Sequence, residues 1–336
     1  MKILTIFTGG TIGSKLNESG AISPSADAPF HLLQLYKDAK KSSHEFITDE
    51  PYRILSENLN ASCVLTLINC IKKHLASDSF DGIIITHGTD TLQYTAALLS
   101  YVFANSKIPI LLVSSAFPLA DPRANGLSNF IHAVSFIEGS YGTGVFVSYE
   151  NVDGICYIHR GTHLLSAIPY CADCYSFCNT WYGKFNGKTF EKNPSYQESG
   201  SSVERFSFPA DIHLSEHSNE ILRIVPYVGM QYPAIPEGTK VILHESYHSG
   251  TIGISDSLIA FTKEANEQQI PIYMTGLSST EAEYETVEQY RNLGIIPLPE
   301  SAPIAQYCKL WLALSNDLDI SDVMEMCVAN DFQLPA

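Results

Sequence analysis

Apolar positions along the chain fall into two kinds of run. Short blocks such as Ile3-Leu4-Thr5-Ile6-Phe7, Gly82-Ile83-Ile84-Ile85-Thr86 and residues 108–113 read as strands buried on both faces. Longer blocks space their apolar residues three and four apart and predict helices over 31–41 and 64–75, with Lys72 and Lys73 on the wet face of the second. Another helix begins at Thr91, where Leu92, Thr95, Ala96 and Leu99 share a face, and a turn-rich stretch from Pro118 to Gly126 opens one that runs through Ile137. Tyr52-Arg53-Ile54-Leu55 extends toward Ser56, and residues 144–148 and 154–158 read as a hairpin around Glu150-Asn151. Periodicity fails from 181 to 219, where polar and small residues suit a linker. It resumes in strands over 221–226, 240–244 and 270–275, with closing helices over 302–314 and 321–329. The alternation of strand and helix predicts an α/β chain. Its parts are a larger N-terminal doubly wound domain with a mainly parallel sheet (1–185), a linker (186–218) and a smaller C-terminal α/β domain (219–336).

Composition narrows the class without choosing a chemistry. The chain has 336 residues, 45% hydrophobic and 17% charged, enough for two cores and unlike a disordered sequence. A net charge of −16 argues against nucleic acid or an anionic membrane as partner, since both call for a basic surface. No apolar run is long enough to span a bilayer, and the first seven residues lead into Thr8-Gly9-Gly10 rather than a cleavage site, so the expectation is a cytoplasmic protein. Of eight cysteines, Cys63, Cys70, Cys156, Cys308 and Cys327 fall on predicted helices and strands and are expected to be reduced core residues. Cys171, Cys174 and Cys178, with His159 and His163 upstream, have the donor types of a zinc site. Their spacing matches no standard one, so neither metal nor other cofactor is expected.

The candidate chemistry lies in turns. His87-Gly88-Thr89-Asp90-Thr91 follows the 82–86 strand at its carboxyl end, where open α/β sheets bind ligands. Asp90 there suits a helix N-cap as well as a functional role. Thr8-Gly9-Gly10-Thr11 follows the first strand, and its glycines allow a sharp turn with close approach to a ligand. Ser56-Glu57-Asn58 lies between the two motifs and, taken locally, fits a helix-entry turn.

Together, Thr8-Gly9-Gly10-Thr11-Ile12, Ser56-Glu57-Asn58 and His87-Gly88-Thr89-Asp90-Thr91 resemble the bacterial-type L-asparaginase family, cytoplasmic type I-like, in order and spacing. The segment 118–126 with Asn129 is similar to another of its motifs, and the resemblance extends over essentially the whole chain. It implies a threonine-nucleophile amidohydrolase without a cofactor, converting L-asparagine to L-aspartate and ammonia through an acyl-enzyme. In that scheme Thr11 attacks the amide, Thr89 aids proton transfer or positions the water, and Asp90 receives the substrate ammonium. Ser56 and Glu57 hold the substrate's α-carboxylate and α-amino ends; Gly10, Gly88 and Ser115 complete the binding set, with backbone N–H groups near Gly88 and Thr89 as oxyanion donors. The family's usual lysine, in a segment like RGTRxxK, is replaced here by Ser166 of Arg160-Gly161-Thr162-His163-Leu164-Leu165-Ser166. The proton relay thus loses a basic amine, and His163, His87 or Ser166 itself stands as the candidate to compensate. A tyrosine that many relatives carry in the first loop is replaced by Ala21. The resemblance also implies a homodimer or homotetramer, with the loop 245–251 and Glu300 near the subunit interface. Two other readings share these residues: a weakly active or silent homologue that binds a small amino acid or amide, and an amidase acting on a larger ω-amide, including one delivered by a partner as in the related subunit of an aminoacyl-tRNA amidotransferase. The acidic charge and the lack of an extra domain weigh against the tRNA version.

Overall fold

Lys2–Phe7 forms strand β1 and Gly82–Thr86 forms β5, and these two apolar runs pair in parallel with Phe7 opposite Thr86. The computed structural model describes residues 1–16, 22–25, 27–198, 206–216, 219–276 and 285–332. Ala21 and residues 199–202 of the expected linker lie outside the described residues. Contacts divide the chain into two units, Met1–Tyr196 and Gln197–Ala336.

In the first unit β1 leads through a short 3-10 turn, Thr11–Gly13, to the small ribbon β2 (Ser14–Leu16) and β3 (Ile22–Pro24). Then come α1 (Ala28–Lys40), β4 (Glu45–Asp49), α2 (Ala61–Ser77), β5, α3 (Leu92–Val102), β6 (Pro109–Val113) and α4 (Gly126–Glu138). Two hairpins finish the unit: β7 (Gly144–Glu150) with β8 (Cys156–Arg160), and β9 (Gly183–Asn186) with β10 (Thr189–Lys192). Among the described residues these strands build an eight-stranded sheet in the order β10-β9-β8-β7-β6-β5-β1-β4, parallel from β7 to β4. The five parallel strands, numbered by appearance, stand in the order 2-1-3-4-5. That is a doubly wound sheet whose direction of winding reverses between β1 and β5.

Local chemistry explains the elements. Every residue of β5 and β6 is buried, as expected of strands covered by helices on both faces. Helix α2 begins where the Asn60 side chain accepts the Cys63 N–H at 2.9 Å, and it buries Val64, Leu67, Ile68 and Ile71 along one stripe. One face of the sheet packs Phe130, Phe136, Phe146 and Tyr182 into an aromatic-rich core.

The stretch expected as a linker from 186 onward starts within the sheet instead: β9 and β10 pair across Gly187, and the unit continues to Tyr196. Phe185 and Phe190 bury one face of this hairpin while Lys184 and Glu191 pair on the other. Four-residue strands give too few alternations to register as periodic. Strand β4 is equally unmarked in the sequence.

In the second unit β11 (Ile221–Ile224), β12 (Val241–His244), β13 (Ile272–Met274) and β14 (Ile295–Pro297) form a parallel sheet in that order. Helices α5 (Asp256–Glu267), α6 (Glu285–Asn292), α7 (Pro303–Ser315) and α8 (Ile320–Glu325) accompany it. Alternate residues of β12 serve separate cores: Ile242 joins Phe261 and Tyr290, whereas Val241 and Leu243 join Leu310 and Met324. Inside this unit Lys309 and Asp331, both wholly buried, form an ion pair at 2.9 Å. No helix among the described residues is long and apolar enough to cross a membrane.

Candidate active site

Because β1 and β5 are neighbours in register at the reversal point, the turns that follow them leave the sheet side by side. The Thr8 hydroxyl fastens the first turn to the second by donating to Thr86 O at 2.6 Å. Gly9 and Gly10 then adopt positive φ of 102° and 72°, backbone that side-chain-bearing residues rarely tolerate. A Cβ on Gly10 would lie 2.5 Å from Gly88 Cα, and one on Gly88 would lie 2.7 Å from Ser56 Cβ. Three segments distant in sequence therefore meet at close quarters. The segment before Ser56 is locked in by Gly10 N donating to Ile54 O at 2.9 Å and Ile54 N donating to Thr8 O at 3.1 Å.

Thr11 follows Gly10 and Thr89 follows Gly88, and both are half-buried at this junction. The buried Ser56 hydroxyl donates to Asp90 Oδ2 at 2.9 Å, while Thr91 Oγ1 donates to Ser56 O at 2.8 Å. Asp90 and Glu57 are exposed. The cap reading of Asp90 does not hold: the N-cap of α3 is Thr91, and the Asp90 carboxylate is turned to Ser56. His87 is buried; its Nδ1–H donates to Gly88 O at 2.8 Å and Nε2 accepts from Thr95 Oγ1 at 2.9 Å. Burial pushes its pKa down, so the ring braces the turn as a neutral imidazole.

Ser115 is buried too. Its hydroxyl donates to Phe117 O at 2.6 Å and accepts from Gly126 N at 3.1 Å, which shapes the loop between β6 and α4. Asn129 ties that loop to the next strand, donating to Ser114 O at 2.8 Å and accepting from Glu150 N at 2.6 Å. The segment carrying Ser166 leaves β8 along α3, since a Cβ on Gly161 would lie 2.8 Å from Ala96 O; Ser166 itself is exposed. His163 is enclosed, with Nδ1 at 2.8 Å from Thr180 Oγ1 and its ring against Phe177 and Tyr196. In the second unit Glu245, in the loop 245–251, is half-buried and paired with Arg223, and Glu300 is half-buried.

The cysteine group 171–178 is spread: Cys174 is buried while Cys171 and Cys178 are exposed, and His159 Nδ1 engages Ser176 Oγ at 2.9 Å. Among the described residues the cluster with metal-ligating geometry is a different one, Asp49, Cys70 and His74. Its available signal was the Cys-x-x-x-His spacing on α2, which puts both side chains on one helix face.

A family model described as "Asparaginase, N-terminal" matches residues 2–169. Over 340 residues the chain is 25% identical to an L-asparaginase of Thermococcus kodakarensis, covering 98% of each. Over 348 residues it is 26% identical to a glutamyl-tRNA(Gln) amidotransferase subunit of Methanobrevibacter smithii, covering 98% of this chain and 75% of that protein. The crystal structure of L-asparaginase I from Vibrio cholerae superposes with a TM-score of 0.80 at 21% identity, covering 99% of both chains, and establishes the likeness of fold.

Proposed function

Because the chain belongs to the asparaginase family, we propose that it hydrolyses the side-chain amide of L-asparagine to L-aspartate and ammonia, with Thr11 as nucleophile. One observation carries the reading: the Gly10, Ser56 and Gly88 segments meet at the reversal point of the sheet, with the Ser56 hydroxyl on Asp90 Oδ2. The Thr11 hydroxyl adds to the amide carbon and passes its proton into a relay that includes Thr89. The oxygen of the tetrahedral intermediate takes its charge against backbone N–H groups at Gly88 and Thr89. Collapse breaks the C–N bond, ammonia leaves with the relayed proton, and water hydrolyses the Thr11 ester. Asp90 receives the substrate ammonium in place of the Ser56 hydroxyl, which then turns with Glu57 to the α-carboxylate and α-amino ends. Ser115 contributes by holding the neighbouring loop.

Ser166 in the lysine position makes this a slow enzyme, since a missing acid–base group costs about a hundred- to ten-thousandfold. The test is a coupled ammonia assay with L-asparagine and L-glutamine on the native protein, Thr11→Ala and Ser166→Lys. Native protein releases ammonia from asparagine, Thr11→Ala releases none, and Ser166→Lys is faster. Absence of ammonia from either amide overturns the proposal. Calorimetric binding of asparagine without turnover would identify a silent binding homologue instead. The similarity to an amidotransferase component favours a second reading, amide hydrolysis in the service of a partner. That reading expects release from glutamine that rises only when such a partner is added.

A further inference from the structure

Strand β4 closes the parallel edge of the large sheet and ends at Asp49, opposite the last two turns of α2. Cys70 and His74 sit one helical turn apart on that helix and aim at one atom: Asp49 Oδ2 lies 2.7 Å from His74 Nε2 and 3.4 Å from Cys70 Sγ. All three potential ligand atoms lie within 4.8 Å of one another. We propose that Asp49, Cys70 and His74 form a zinc site that clamps α2 to the edge strand.

The donor set selects the ion. One thiolate, one imidazole nitrogen and one carboxylate oxygen make a borderline-soft set suited to Zn2+, and three protein ligands leave a fourth position for water. Tetrahedral bonds of about 2.0–2.3 Å place ligand atoms about 3.3–3.8 Å apart, so Asp49 and His74 have to open slightly from 2.7 Å while Asp49 and Cys70, at 3.4 Å, already have that spacing. Charge balances as well. Starting from carboxylate, thiol and neutral imidazole, the incoming dication displaces the thiol proton to solvent, and the imidazole proton moves from Nε2 to Nδ1. The group passes from one negative charge to none. Access exists, because the Asp49 and His74 side chains are 37% and 19% exposed while Cys70 backs the site from the buried side. The ion would close the chain between residues 49 and 70 into a loop that contains Ile54 and Ser56, the residues that contact Gly10 and Asp90. This inference stands apart from the proposed hydrolysis and holds whether or not Thr11 is a nucleophile.

The experiment titrates the reduced, chelator-stripped full chain with Co2+ alone and then with Zn2+ alone. One equivalent of Co2+ gives a thiolate-to-cobalt charge-transfer band that Zn2+ abolishes, and Zn2+ raises the Tm. Cys70→Ser loses the band, and His74→Gln weakens Zn2+ binding by more than about tenfold and loses the Tm shift. A variant with Cys171, Cys174 and Cys178 all changed to serine keeps the band. Circular dichroism establishes that each variant is folded, and should Cys70→Ser fail, the half-exposed His74→Gln decides alone. No uptake of either metal overturns the site, as does a band that survives Cys70→Ser or disappears with the triple serine variant.

Discussion

Gly88 has no room for a side chain, because a Cβ there would collide with Ser56, whose hydroxyl serves Asp90. Gly88→Ala therefore pushes the Ser56 segment away from Asp90. We expect it to lower stability by about 1–3 kcal/mol and to abolish ammonia release, read by urea unfolding and the coupled assay. At this scale the sequence was informative about glycine, since a Gly-Gly pair after one strand and a lone glycine after another announce tight approach. The bond from Ser56 to Asp90 was not legible: it joins residues that only the winding of the sheet brings together. The same limit hid Asp49 from its partners on α2.

Elements differ in how openly the sequence declares them. β5 and β6 are uninterrupted apolar runs because both faces are covered, whereas β9, β10 and β14 are too brief to show a period. Helix α7 follows its apolar stripe but carries Lys309 within it, and the ammonium meets Asp331 and Met326 O in the interior. Removing one partner leaves the other charge buried and alone. Lys309→Ala is expected to cost about 3–5 kcal/mol, measured as a lower urea midpoint, while replacing both partners with apolar residues recovers much of the loss.

The molecule as a whole is set against acid by its histidines. Burial lowers the pKa of His87, His132, His159 and His244 from 6.5, that of His159 to about 3. Below 6.5 an unfolded chain protonates these rings while the folded one leaves them neutral, so the unfolded state binds more protons and acid favours it. The stability is present in full above that value and is lost as the pH falls from it toward about 3, by up to about 1.4 kcal/mol per pH unit for each fully buried ring. Urea midpoints between pH 7 and 4 are expected to fall steadily, and His159→Gln to flatten that fall.

Strand order also bears on how the chain is made. β1 is synthesised before β4 and β5, yet it fills an interior slot with those two strands as its flanks. Until Gly82–Thr86 has been synthesised, an apolar ribbon with a bare hydrogen-bonding edge waits in the nascent polypeptide. Slower translation across residues 8–81 is therefore expected to lower the yield of native protein by prolonging that exposure.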